Sequence, residues 1–144
     1  GEIIKIYYKN FCSFPNSMHA HGLKYNKLSE GAPYFDGSND GDIVQTNGQW
    51  IYIWQARYIQ SDELSSEMWL YHSHVDEVRD VYTGLFGAIL ITKQEMAIDE
   101  ENNLMPEDID REFVTYFTLN DENESWLFEE NLERYLTKHT PTKE

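Results

Sequence analysis

Cysteine is almost missing from this sequence: Cys12 is the single one in 144 residues. No disulfide can form within the chain, and cysteine usage does not place its compartment. No run of about 18 apolar residues is present, which excludes a membrane-spanning helix. Positive charge is scarce, with 11 Lys and Arg against 26 Asp and Glu and a formal charge of −15. Such a surface repels phosphate, so nucleic acid is excluded as a partner. It concentrates cations, although solubility alone accounts for charge of this kind. There are no repeats or low-complexity tracts, no Cys-X-X-Cys and no His-Glu-X-X-His. No leader peptide is visible. Gly1-Glu2 runs straight into a strand, so the sequence reads as starting inside a domain, short of a strand or two.

What is abundant is aromatic and β-branched residues, with 10 Tyr, 7 Phe and 4 Trp, a composition that suits strands. Strands are expected over Ile3 to Tyr8, Ser17 to Leu23, 49 to 58, Met68 to His72, Leu85 to Thr92 and Arg111 to Leu119. Glycines and prolines break residues 24 to 48 into a loop, and 60 to 67 and 94 to 110 read as polar connections. Val75 to Tyr82 suits a short helical turn. Apolar residues between Ser125 and Leu136 are spaced as on a helix. The expected fold is all-β, a Greek-key β-sandwich that is N-terminally incomplete, with a short helix near the C-terminus. One domain, residues 1–136, is expected, with 137–144 a polar linker containing His139. Trp50, Trp54 and Trp69 read as packing residues, and Gly84 and Gly87 as points of close backbone approach.

Four of the five histidines form two His-X-His pairs, His19/His21 and His72/His74. In a strand, residues i and i+2 share a face about 6 to 7 Å apart, so each pair is a two-pronged imidazole clamp. Two clamps brought together make a four-imidazole metal site. Imidazole suits copper, zinc, iron and nickel, and the spacing leaves copper and zinc both open. A closed structural zinc site usually brings cysteines, and this sequence has only Cys12.

Four segments carry a resemblance: Ser17-Met18-His19-Ala20-His21-Gly22-Leu23, Ser29-Glu30-Gly31-Ala32-Pro33-Tyr34, Leu70-Tyr71-His72-Ser73-His74-Val75-Asp76 and Gly84-Leu85-Phe86-Gly87-Ala88-Ile89-Leu90-Ile91. They resemble the first two copper motifs of multicopper oxidases. Asp110-Arg111-Glu112-Phe113 and Asp121-Glu122-Asn123-Glu124-Ser125-Trp126 are similar to the ceruloplasmin branch, which includes hephaestin and the coagulation factors.

The resemblance implies a first cupredoxin (plastocyanin-like) domain. His19 is the implied ligand of a type 2 copper, and His21, His72 and His74 of a type 3 pair. The other ligands come from a facing cupredoxin domain, of the same chain or a symmetry-related subunit. Dioxygen is reduced to water at such a cluster. The electrons come from a metal ion, as in a ferroxidase, or from an organic reductant, by way of a type 1 copper elsewhere. Cys12 lacks the spacing of a type 1 ligand and reads as a small buried residue. Glu30 matches the family carboxylate beside the type 2 copper and is the candidate catalytic proton relay. Asp76 reads as a surface acid.

A calcium site is also implied. Lys27 (through its carbonyl), Asp40 and Asp42 are its candidate ligands here, while Ser38 and Gly41 replace two of the family's own. An extracellular or periplasmic location is implied as well. Ser66 and Thr92 stand where vertebrate relatives carry a disulfide, which marks a divergent homologue. The enzyme reading applies to a full assembly, and the isolated segment is expected to be inactive. Two alternatives remain: a non-catalytic scaffold of the coagulation-factor type, and a domain of a two-domain copper enzyme such as a nitrite reductase.

Overall fold

Alternation of apolar and polar side chains makes most of the strands. A computed structural model describes residues 1–34, 36–97 and 105–136. In chain order its elements are β1 (Ile3–Lys9), β2 (His19–Ala20), β3 (Gln49–Gln55), β4 (Ser66–His72), helix α1 (Glu77–Tyr82), β5 (Phe86–Thr92) and helix α2 (Phe128–Asn131). A π turn, Leu132–Leu136, continues α2. The linker expected over 137–144, with His139, lies outside the described residues.

The strands form two antiparallel sheets, β1-β3 and β2-β4-β5. The register of the first pairs Ile4 with Trp54, Ile6 with Tyr52 and Tyr8 with Trp50. Because side chains alternate with period two, these six share one face while Ile3, Tyr7, Ile51 and Ile53 point to the exposed one. In the second sheet Trp69 lies opposite Ile89 and Tyr71 opposite Gly87. Ala20, Leu23, Val44, Tyr52, Trp54 and Ile91 form the buried cluster, with Trp69, Tyr71 and Ile89 packed against it. The core therefore lies between the sheets, as in a β-sandwich. A Cβ on Gly87 would stand 2.5 Å from the Tyr71 ring, the close approach expected of that glycine.

The strand expectations hold with shifted ends. Only His19 and Ala20 of the 17–23 run pair as strand, β3 stops at Gln55, and β4 starts at Ser66 inside the stretch read as polar loop. The helix near the C-terminus is shorter than its apolar spacing suggests. Residues 111–119 require a correction: they form neither strand nor helix. A strand needs a neighbour to take its backbone hydrogen bonds, and neither described sheet includes one alongside this segment. Phe117 and Leu119 are 92% and 93% exposed, and the segment rests on β5 through the Tyr116 ring, 4.7 Å from that of Phe86.

Candidate copper site

The histidines sit on the face of the second sheet opposite to the core. β2 pairs with β4 so that His19 lies directly across from His72 and Ala20 across from Tyr71. Ala20 and Tyr71 point into the sandwich, so His19 and His72 point outward. The His21 amide donates to the Leu70 carbonyl at 2.8 Å, which keeps the antiparallel alignment one residue further. Gly22 then turns the chain away at φ +71°, and a Cβ there would collide with the Trp69 ring 2.0 Å away.

This register brings the four rings together. Ring centres are 5.2 Å apart for His19 and His21, 5.6 Å for His19 and His72, 5.0 Å for His19 and His74, 5.0 Å for His21 and His72, and 5.5 Å for His72 and His74. Two rings are oriented through their Nδ1 atoms. His19 Nδ1 lies 2.7 Å from the Glu30 carbonyl and His72 Nδ1 lies 2.9 Å from the Ser73 carbonyl. A carbonyl can only accept, so both Nδ1 atoms carry the proton and both Nε2 atoms present a lone pair. His21 Nε2 lies 2.9 Å from His72 Nε2 and is the donor in that pair. Burial lowers the His19 pKa against the pull of the Glu30 carbonyl, and the neighbouring imidazoles lower it further. Burial and then the His72 imidazole lower that of His21. Both effects favour the neutral imidazole that binds metals.

Among the described residues no three His, Cys, Asp or Glu groups already meet around one point at ligation distance. The rings nevertheless gather within one imidazole width of each other. Two imidazole nitrogens on one ion, each at about 2.0 to 2.1 Å, stand roughly 3 Å apart, which is the separation of the His21 and His72 nitrogens. The donor chemistry, four gathered imidazoles of which His19 and His72 are oriented through Nδ1, fits copper.

The other expected residues fall around this cluster. Glu30 reaches His19 through its main-chain carbonyl. Its carboxylate accepts from the Tyr34 hydroxyl at 2.9 Å and lies 3.8 Å from Lys27 Nζ. Asp76 caps α1, accepting from the Arg79 amide at 3.2 Å. Cys12 is half-buried and free, rather than fully buried.

The calcium expectation does not fit. Lys27 Nζ donates to Asp42 Oδ2 at 2.5 Å and to the Ala32 carbonyl at 2.9 Å, and it stands 4.4 Å from the Tyr34 ring centre. An ammonium therefore already sits on the one buried carboxylate of the loop. The Asp42 hydrogen bond and charge raise the Lys27 pKa, outweighing the opposing effect of burial. The Lys27 carbonyl accepts the Glu30 amide at 3.2 Å, and Asp40 is exposed. Among the described residues only Asp42 Oδ1 is buried without a partner, far short of the six to eight oxygens calcium takes.

Sequence reading missed Glu77, whose carboxylate lies 3.9 Å from His72 Nε2 and 3.8 Å from His74 Nε2. Its place three residues after His74, on the first turn of a helix, was the available signal. It also missed Ser17, Ser73 and Asp80, buried polar residues behind the cluster.

Residues 1–96 match the family model described as multicopper oxidase. The chain belongs to the multicopper oxidase family. It is 40% identical over 144 residues to a ferroxidase, HEPHL1 of Homo sapiens, covering 95% of this chain and 12% of that protein. It is 38% identical over 145 residues to ceruloplasmin of Ovis aries, covering 96% of this chain and 14% of the other. Coagulation factor V of Sus scrofa is 38% identical over 140 residues, covering 92% and 6%. This multicopper oxidase chain thus spans about an eighth of the length of the ferroxidase and ceruloplasmin relatives. A crystal structure of a multi-copper oxidase from Pseudomonas thermotolerans aligns with a TM-score of 0.54 at 20% identity, covering 67% of this chain and 21% of that one, a likeness of fold. No helix among the described residues is long and apolar enough to cross a membrane.

Proposed function

We propose that this domain supplies half of the ligands of a type 2/type 3 trinuclear copper cluster, in an oxidase that reduces dioxygen to water. The observation that carries the reading is the gathering of four imidazoles, ring centres 5.0 to 5.6 Å apart, on one sheet face. His19 takes the type 2 position and His21, His72 and His74 the type 3 positions. When bound, copper supplies the redox chemistry by which dioxygen accepts four electrons. The chain's own residues hold the nitrogens. The Glu30 and Ser73 carbonyls fix His19 and His72 with Nε2 directed away from the backbone, which supports both as Nε2 ligands. Glu30, with its carboxylate ordered by Tyr34, delivers protons to the reduced oxygen.

The remaining ligands come from a facing cupredoxin domain of the same protein or of a symmetry-related subunit. That arrangement is supported by the position of the cluster on the face turned away from the core. The electrons come from a metal ion, ferrous or cuprous, or from an organic reductant, and the site of their oxidation lies elsewhere in the assembly. The ferroxidase relative favours a metal ion. We place the enzyme in an extracellular or periplasmic compartment.

Factor V, matched at 38% identity, favours a second reading, a scaffold domain without chemistry. Copper analysis of the full-length protein separates the two. The oxidase reading expects copper bound through these histidines and a near-ultraviolet type 3 absorption band, both lost in a His72→Ala, His74→Ala variant. It expects no oxygen uptake by the 144-residue segment alone. A full-length protein that carries no copper at these histidines would establish the scaffold.

A further inference from the structure

Behind the histidines lies a buried polar chain that ends on Asp80. The residue is fully buried, and its carboxylate accepts three neutral donors. Oδ2 takes the Ser73 hydroxyl at 2.5 Å and the Asp76 amide at 3.2 Å, while Oδ1 takes the Trp126 indole N–H at 2.9 Å. The Ser73 hydroxyl, with its proton committed to Asp80, accepts the Ser17 amide at 3.0 Å. The Ser17 hydroxyl donates to the Gly31 carbonyl at 2.6 Å and accepts the His74 amide at 3.0 Å.

Each link touches a histidine. Ser73 separates His72 from His74, and its carbonyl is the one that orients the His72 ring. Ser17 holds the His74 amide and leads into His19. Gly31, tied by Ser17, follows the Glu30 carbonyl that orients His19. We propose that Asp80 is a positioning residue for both histidine pairs, acting through the Ser73 hydroxyl on the main chain that carries them. Trp126, stacked on Phe14 at 5.3 Å and on the Arg79 guanidinium at 4.6 Å, latches the C-terminal segment onto the second oxygen of the same carboxylate. The geometry requires a carboxylate. An amide has one acceptor oxygen, so in Asp80→Asn the NH₂ group faces either the Trp126 N–H or the Ser73 and Asp76 donors, and a buried donor loses its partner.

The functional consequence rests on the copper-cluster reading, whereas the positioning itself does not, so two measurements on the full-length protein are paired. Amide hydrogen exchange followed by mass spectrometry reads positioning without metal. Copper competition against a chelator reads its effect on the ligands. In D80N and in S73A, exchange accelerates together in peptides spanning residues 16–20 and 72–77, copper binds about 10- to 100-fold more weakly, and the double variant goes no further than either single one. Trp126→Phe keeps the stack on Phe14 but removes the N–H. It speeds exchange around residues 124–132 and lowers thermal stability, leaving the histidine peptides and copper affinity unchanged. If D80N lowers stability while exchange at residues 16–20 and 72–77 matches that of W126F, Asp80 is a general stabilising residue and the inference falls. If the wild-type protein binds no copper but D80N still loosens both peptides, positioning stands and the cluster reading is the one that fails.

Discussion

At the scale of single residues, much of the polar chemistry is inside. Tyr8 shows the consequence for pH. Its hydroxyl donates to Asn16 Oδ1 at 2.5 Å. Burial, reinforced by the charges of Cys12 and Asp80, pushes its pKa up to about 12 from 10.0. Burial moves Tyr52 in the same direction. Below pH 10 both tyrosines are neutral in the folded and unfolded chains, and stability does not depend on them. Above pH 10 the unfolded chain loses the proton first, so the unfolded state is favoured and stability falls until the folded pKa is reached. For Tyr8 alone the loss between pH 8 and pH 11 is on the order of 1 kcal/mol, since solvent screens part of the effect at a half-buried hydroxyl. Urea unfolding at those two pH values should show this fall, and it should shrink by that amount in Tyr8→Phe. An equal fall in wild type and variant would mean that Tyr8 ionises freely. The histidine pairs were legible at this scale because their spacing is local. The Ser73–Asp80–Trp126 connection was not: Trp126 meets Asp80 from 46 positions away, and nothing in the local pattern marks that contact.

At the scale of elements, sequence pattern succeeded where one strand carries its own periodicity and failed where pairing decides. β1 and β3 alternate in burial; β1 was read to within one residue, and β3 starts where expected but ends three residues before the expected 58. Residues 111–119 have the same β-rich composition, yet composition cannot provide a partner for their backbone. β2 is the converse case. Two residues suffice, because their register against β4 is what assembles the histidine cluster. The β4–β5 register also sets Ser66 directly opposite Thr92. The Lys93 amide donates to the Ser65 carbonyl at 2.8 Å, so 65 and 93 form the hydrogen-bonded pair and 66 and 92 the closer one. Cα atoms in such a pair stand about 4.5 Å apart, within disulfide range. Ser66→Cys with Thr92→Cys should therefore oxidise spontaneously. Closing a loop of about 25 residues stabilises the fold by up to roughly 3 kcal/mol, since the crosslink restricts the unfolded chain. A difference of that order in urea midpoint between oxidised and reduced double variant is the expected result, and failure to form the bond would contradict the register.

At the scale of the whole molecule, the two faces of the second sheet have different fates. One face closes on the core. The other carries His19, His21, His72 and His74, and β4 continues it through Leu70 to Met68, paired across the ladder with Leu90 on β5. Met68 and Leu90 are 49% and 45% exposed, an apolar extension of the histidine face on a domain of formal charge −15. On a strongly acidic surface, a neutral apolar patch beside an imidazole cluster is where a second domain can approach without like-charge repulsion. If the facing domain rests there, Met68→Lys with Leu90→Glu should leave this fold almost untouched. Both positions are solvent-facing, the introduced charges are opposite across the strands, and the expected change in stability is within about 0.5 kcal/mol. In the full-length protein the same pair should cost most of the bound copper, because the second half of the ligand set no longer docks in place. Copper content and the urea midpoint, measured on the same preparation, test both halves of the argument. Full copper loading would show that the facing domain docks without this patch, and a large drop in stability without copper loss would show that Met68 and Leu90 serve this domain's own packing.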